Sequence, residues 1–341
     1  MKKKKLCDTD FLYLSTRLRA AEGNLITAEK LNRMLEAKSF EEAFTTACEL
    51  YGNSSVEYAP EDYEKMLAAE LAKAYAFACE LIDGTVDVDS KPFELLAPFR
   101  YVYDCQNLKA AIKCAALEKD ALPMLSPNGS VTPEAVKAAV ADGDYAAFSA
   151  NLAAAAPEAV EKLSATGDPQ EVDLTLDKAA FADMHDAASA SNLAYLSELM
   201  RVKTDCTNIS TALRCIRQGK PKLYMQKLYL PGGTLDEDFF VGHYDETPAK
   251  LLDALAYTAY SGLVSNAAEN TPNAAQIEKR CDELYAEKAY AVKYLPFGAE
   301  LVVCYIVQKE YEIKNVRIVL AGIACGLAPD QIKARLRGIA S

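Results

Sequence analysis

One pattern of residues occurs three times in this chain, at nearly constant intervals. In each copy an acidic residue is followed three positions later by Asn and then by apolar residues. The copies are Asp104 with Asn107, Asp205 with Asn208, and Glu312 with Asn315. They lie 101 and then 107 residues apart. Because this interval is the size of a small domain, the pattern predicts a triplicated unit rather than the short repeat of a solenoid or propeller.

A second group of residues recurs with a similar period. The stretch 26–31 is echoed at 131–136, and the Pro-Gly turn at 127–131 is echoed at 231–235. The segment 83–98 has no evident counterpart and is predicted to be a loop insertion in the first lobe. Two landmarks with one period predict three lobes with boundaries at the turns. The predicted lobes are residues 1–128, 129–231 and 232–341.

The chain is predicted to be almost entirely helical. It has 341 residues, of which 51% are hydrophobic, enough for two or three small cores. Four stretches are rich in Ala, Leu, Glu and Lys and repeat apolar residues at spacings of three and four, which is typical of amphipathic helices. These stretches are residues 62–81, 135–163, 177–200 and 248–263.

Charge and hydropathy exclude several classes of protein. The net charge of −12 repels nucleic acid and anionic lipid, so a nucleic-acid partner is not predicted. No apolar stretch reaches the eighteen or more residues of a membrane span. The longest candidates, at 301–307 and 316–328, are too short or are interrupted by charge.

All ten cysteines are predicted to be free thiols, and the four that recur at matched positions are predicted to be buried. The beginning of the chain lacks the apolar run of a secretory signal, so a cytoplasmic, reducing environment is expected for all ten thiols. Two pairs have a spacing of nine, which places the two thiols of a pair on opposite faces of a helix. They are Cys105 with Cys114, and Cys206 with Cys215. This arrangement favours small apolar side chains in a core over a metal site.

Residues that could carry chemistry are scarce. The two histidines, His185 and His243, lack the helical partners of a metal site and are predicted to be surface or capping residues. No phosphate-binding loop and no nucleophile elbow are present. The carboxylates are scattered along predicted helix faces. No catalytic residue, metal, cofactor or small-molecule substrate is therefore predicted.

The repeated acid and Asn are interpreted as structural. Residues three apart lie on one face of a helix, and an acid at a helix entry can cap it while the Asn amide bonds a neighbouring backbone group. A catalytic role would need a third group converging on the pair, and none repeats with it. We expect each copy to fix one helix in its lobe.

The end of the chain resembles a known family. Residues 308–322, followed by Gly326-Leu327 and residues 332–337, closely resemble the C-terminal signature of the C subunits of the bacterial and archaeal A/V-type rotary ATPases. These proteins correspond to the d subunits of the eukaryotic V-ATPases. Parts of the opening are also similar, as is the first Asp-x-x-Asn. These opening positions are Tyr13, Arg17, Arg19, residues 35–43 and Tyr51-Gly52. The chain departs from the family in the middle of the first lobe and in the alanine-rich residues 146–165.

The resemblance implies an all-α protein with three similar helical-bundle lobes in a pseudo-threefold, funnel-shaped arrangement. It implies a non-catalytic component of the central stalk at the cytoplasmic face of the membrane, between the central axle and the membrane rotor ring, the c/K-type ring. ATP synthesis or hydrolysis and proton or sodium transport would belong to other subunits. Two alternatives stay open: a free-standing helical scaffold with the same fold, and an all-helical enzyme with an acidic cleft.

Basic residues concentrate near the end of this acidic chain. One interpretation is a solvated helix face with cations near a helix C-terminus. The other is a local positive surface that contacts the axle or the ring, where Arg is favoured. The candidate partner-binding residues are Lys314, Arg317, Arg335 and Arg337, with Lys309 and Lys333 nearby.

Overall fold

The computed structural model describes residues 8–53, 58–84, 95–264 and 274–338. All regular structure within these residues is helical, which confirms the predicted all-α class. Most of the predicted insertion at 83–98 lies outside the described residues. The α-helices are α1 (Leu12–Glu22), α2 (Ala28–Leu35), α3 (Phe40–Tyr51), α4 (Tyr63–Asp83), α5 (Ala97–Ala116), α6 (Pro133–Asp142), α7 (Ala150–Thr166), α8 (Pro169–Ala190), α9 (Ala194–Arg217), α10 (Lys222–Leu228), α11 (Glu237–Gly242), α12 (Ala249–Leu255), α13 (Ala274–Tyr290), α14 (Glu300–Ala324) and α15 (Pro329–Lys333).

Three of the predicted helical stretches were too long. The stretch 135–163 is divided between α6 and α7, because Gly143 ends α6 with a φ of 70°. The stretch 177–200 is divided between α8 and α9 at Asn192, which has a φ of 56°. In the third, α12 ends at Leu255 and only a short 3-10 turn follows at Ser261–Leu263. In the first two stretches left-handed residues stop the helix, and the apolar spacing alone did not reveal them.

The chain divides into two compact units. Unit 1 comprises Met1–Leu96 and Ala286–Ser341. Its core forms around α14, which packs against α1, α2, α3 and α4. The apolar run at 301–307 is buried on all sides of the helix, since every residue in it is at most 4% exposed. A helix that is apolar all round belongs in a core, where each buried Val or Leu contributes about 1.5–3 kcal/mol.

Unit 2 comprises Ala97–Tyr285. Helix α8 lies at its centre and packs against α5, α7 and α9. The alanines of α7 and α8 explain this arrangement, because small side chains let the two helices pack closely. Ala156, Ala159 and Ala180 are at most 3% exposed. Across both units, no helix among the described residues has the length and the apolar character that a membrane crossing requires.

The three helices that carry the repeated motif end in the same way. Helices α5, α9 and α14 each end nine residues after the Asn. Two positions further on, the chain adopts a left-handed conformation at Glu118, Gly219 and Gly326, with φ of 55°, 62° and 69°. The next amide donates to a carbonyl five residues back, at 2.9–3.0 Å in each copy. This is the Schellman motif, and the first copy builds it without glycine.

Replacing Glu118 by Gly should therefore stabilise the protein. A left-handed conformation costs an L-residue about 1–2 kcal/mol, and glycine avoids this cost. Glycine also loses more chain entropy on folding, which cancels part of the gain. We expect Glu118→Gly to raise the free energy of unfolding by about 0.5–1 kcal/mol, measured by urea denaturation. Gly219→Ala is the matched control and should lower it. A loss of stability in Glu118→Gly would contradict this account.

Candidate functional site

Each repeated Asn holds the main chain of one later residue. The amide oxygen accepts from the backbone N–H and the amide nitrogen donates to the carbonyl of the same residue, with all six distances between 2.8 and 3.0 Å. The side-chain amide of Asn thus bonds as a second peptide group would, because it offers both a donor and an acceptor. The three pairs are Asn107 with Ser126, Asn208 with Leu230, and Asn315 with Arg337.

The acid of the motif holds the segment that follows. Asp104 lies in the interior of α5, so the expectation that it caps the entry of its own helix is wrong. Its carboxylate accepts from the Val131 N–H at 3.1 Å and from the Ser130 hydroxyl. Burial raises the pKa of Asp104, while the bonds from Ser130 and Val131 act in the opposite direction. We call each acid and its Asn, together with the residues they hold, a clamp.

The second clamp is the most fully bonded. Asp205 is fully buried and accepts from the Thr234 N–H at 2.7 Å, the Thr234 hydroxyl at 2.6 Å and the Leu235 N–H at 3.1 Å. The Tyr260 hydroxyl donates to the same carboxylate at 2.6 Å. Burial, and then the bond to Asp205, raise the pKa of Tyr260. These four bonds compensate for burying a carboxylate.

Two glycines let the first two clamps close. A Cβ atom on Gly129 would overlap the Asp104 carboxylate, and one on Gly233 would overlap the Asp205 carboxylate. Close approach therefore explains why the turns at 127–131 and 231–235 share a glycine. The sequence suggested these turns as lobe boundaries. The link between each turn and the acid, which lies 25 or 28 residues before the glycine, was missed, although both recur with one period.

The third clamp holds a residue from the beginning of the chain. Glu312 accepts from the Ile26 N–H at 2.7 Å and from Lys309 Nζ at 2.8 Å. Ile26 corresponds to Val131 and Leu235, since all three are buried and each precedes a residue whose side chain caps the next helix. These caps are Thr27, Thr132 and Asp236. The sequence reasoning did not foresee this contact, whose partners are 286 positions apart.

The candidate partner-binding residues differ in their surroundings. Arg317 Nε lies 3.0 and 2.9 Å from the two carboxylate oxygens of Glu64. Lys314 Nζ lies 5.5 Å from the centre of the Tyr311 ring. Arg335 is exposed, whereas Arg337 is half-buried. Whether any of them contacts a partner stays a prediction.

The histidines have structural surroundings. His185 is half-buried, so the expectation of a surface or capping residue is wrong for it. Its Nε2 bonds Thr204 Oγ1 at 2.9 Å, and burial lowers its pKa. His243 follows α11 and donates from Nδ1 to the Phe239 carbonyl at 2.7 Å, as a capping residue does.

The four repeated cysteines are buried free thiols, as predicted. Burial raises the pKa of Cys105 and Cys215, which keeps both protonated and unreactive. Within the part of the chain that the structure describes, no cluster of three or more His, Cys, Asp or Glu side chains could hold a metal ion.

The fold and the clamps define a class of all-helical protein built on one repeated hydrogen-bonding arrangement. Residues 14–335 match the profile of the family described as ATP synthase (C/AC39) subunit. The chain therefore belongs to this family, and the resemblance noted in the sequence is confirmed.

Similar proteins span nearly the whole chain. The C subunit of the A-type ATP synthase from Thermococcus onnurineus (strain NA1) is 24% identical over 95% of this chain and 89% of its own length. Its counterpart from Thermococcus kodakarensis is 25% identical over 95% and 90%. The C subunit of the V-type ATP synthase from Thermus thermophilus is 24% identical over 95% and 97%.

Proposed function

We propose that this chain is a non-catalytic component of the central stalk of an A/V-type rotary ATPase and couples the central axle to the membrane rotor ring. The observation that carries the proposal is the family match over residues 14–335, together with relatives named as ATP synthase C subunits that align along most of their own length. In this role the chain lies at the cytoplasmic face of the membrane and is held there by other subunits. It needs no cofactor and no small-molecule substrate.

A protein that couples an axle to a ring must be stiff, and the clamps supply stiffness. Each clamp fixes a motif helix to other segments of the chain through hydrogen bonds, including the four bonds on the buried Asp205. Buried and fully satisfied polar networks rigidify the structure around them. Three clamps with one period support a body of three similar lobes, arranged with pseudo-threefold symmetry as a funnel around the tip of the axle. ATP synthesis or hydrolysis and ion transport then occur in other subunits.

Co-purification tests this function. A tagged chain should be isolated from detergent-solubilised native membranes and its partners identified by mass spectrometry. We expect ring, axle and nucleotide-hydrolysing subunits to accompany it, and we expect the chain alone to hydrolyse no ATP. Recovery of the chain without those subunits would support the free-standing scaffold instead. ATP hydrolysis by the purified chain would support the alternative of an all-helical enzyme with an acidic cleft.

Charge reversal tests the candidate partner-binding residues. Arg335→Glu is the most direct variant, because Arg335 is exposed. It should weaken reconstitution of the chain onto the ring or the axle several-fold at low salt, where screening is least. Arg337→Glu and Arg317→Glu should act in the same direction, the latter with a small loss of stability because it places an acid beside Glu64.

Charge reversal at an exposed lysine of unit 2, Lys250→Glu, is the matched control, and circular dichroism should show that each variant folds. Unaltered assembly of the Arg335, Arg337 and Arg317 variants across a salt series would remove these residues from the interface. The exposed apolar surfaces would then be the better candidates.

A further inference from the structure

The third clamp differs from the other two in the chain connectivity of the residues it holds. In the first clamp, the residue held by Asn and the residue held by the acid are Ser126 and Val131, five positions apart. In the second clamp they are Leu230 and Leu235, again five positions apart. In the third clamp they are Arg337 and Ile26, which come from opposite ends of the described chain.

We infer that the succession of clamps along the chain closes on itself as a cycle: Asp104 and Asp205 each hold a residue near the start of the next repeat, and Glu312 holds the corresponding residue of the first repeat. Ile26 occupies in the third clamp the place that Val131 and Leu235 occupy in the others. The first two junctions are covalently continuous, so only hydrogen bonds and packing close the third. We call this junction, formed by Glu312, Asn315, Ile26 and Arg337, the seam.

The seam is also the junction at which the held segment gives the fewest hydrogen bonds to the acid, although Lys309 of the same helix bonds Glu312 as well. The held segment gives two hydrogen bonds to Asp104 and three to Asp205. To Glu312 it gives one, from the Ile26 N–H, among the residues that the structure describes. The residue before Ile26 is Leu25, which has no hydroxyl where the other copies have Ser and Thr.

A small cavity lies beside the seam. Its volume is about 20 Å³, and its lining includes Leu25, Ile26, Glu312 and Gly338. Gln308 also lines it. Elements with few bonds and incomplete packing open at the lowest free energy. The hydrogen bonds of the seam should therefore break before those of the other two junctions, so the seam is the point at which the cycle opens first.

Hydrogen exchange of the full chain, read by mass spectrometry, tests both parts of the inference. In the unmodified protein, the amides of residues 24–35 should exchange at least about tenfold faster than those of 129–142 and 233–242. Equal protection of the three segments would overturn the claim that the seam opens first.

Two variants test the closure itself. Glu312→Ala should speed exchange in both 24–35 and 326–338 and leave 129–142 unchanged, whereas Asp104→Ala should speed exchange in 129–142 and leave 24–35 unchanged. Leu25→Thr supplies the missing hydroxyl and should slow exchange in 24–35 severalfold, which keeps the test usable if Glu312→Ala does not fold. If Glu312→Ala speeds exchange in only one of the segments 24–35 and 326–338, or if Leu25→Thr leaves exchange in 24–35 unchanged, the two segments do not form one junction.

Discussion

Asp205→Ala should lower the free energy of unfolding of unit 2 by about 3–5 kcal/mol. The substitution leaves the buried Leu235 N–H and the Tyr260 hydroxyl without the acceptor that they now share. It also removes both bonds that Thr234 makes. Each orphaned buried donor costs about 1–3 kcal/mol, so this variant should be among the least stable in the chain. Urea denaturation followed by helical circular dichroism measures the effect.

Two controls separate the clamp from a general effect of losing an acid. Asp253→Ala removes an exposed carboxylate of α12 in the same unit and should change the free energy of unfolding by less than about 0.5 kcal/mol. Asp205→Asn keeps Oδ1, the acceptor for Leu235, and should fall between wild type and Asp205→Ala. If Asp205→Ala is as mild as Asp253→Ala, the clamp does not stabilise unit 2.

Asn208→Leu should lower the free energy of unfolding by about 1–3 kcal/mol. The side chain is fully buried, and its loss leaves both the N–H and the carbonyl of Leu230 unpaired. Thermal melting measures the change, and co-purification of the variant with its partners tests whether binding survives.

Asn208→Asp is the matched variant for the amide. It keeps the acceptor for the Leu230 N–H but turns an oxygen toward the Leu230 carbonyl, so it should also be destabilised. A variant of Asn208 with unchanged melting and abolished partner binding would identify this residue as a contact with a partner instead.

The helical class and the repeat could be predicted from the sequence, because apolar spacing and recurrence are local or periodic signals. Asn as a backbone-bonding residue was also foreseeable, since a buried amide needs both a donor and an acceptor. The residues that the clamps hold could not be predicted from the sequence. Leu230 and Ser126 contribute only main-chain atoms to Asn, so their side chains give no signal. The partner of Glu312 could not be predicted either, because Ile26 lies near the opposite end of the chain and no local signal connects the two residues.

The acid was misplaced for a related reason. An Asp before an apolar run is typical of a helix entry, and this local preference suggested a cap. Asp104 and Asp205 instead lie inside long helices, where only tertiary contacts determine what a carboxylate bonds. The division of the chain into two units and the half-buried position of His185 depend on tertiary packing in the same way.

The constant distance between each motif Asn and the end of its helix limits where this chain tolerates insertions and deletions. Nine residues separate the Asn from the last helical residue in all three copies. Adding or removing one residue there would rotate the left-handed turn by about 100° relative to the Asn. The segment between that turn and the residue held by Asn is free of this restriction, since the held residue follows Asn by 19 positions in one copy and 22 in the other two. Length variants of this protein should therefore be found in those connecting segments and be absent from the last turns of the motif helices.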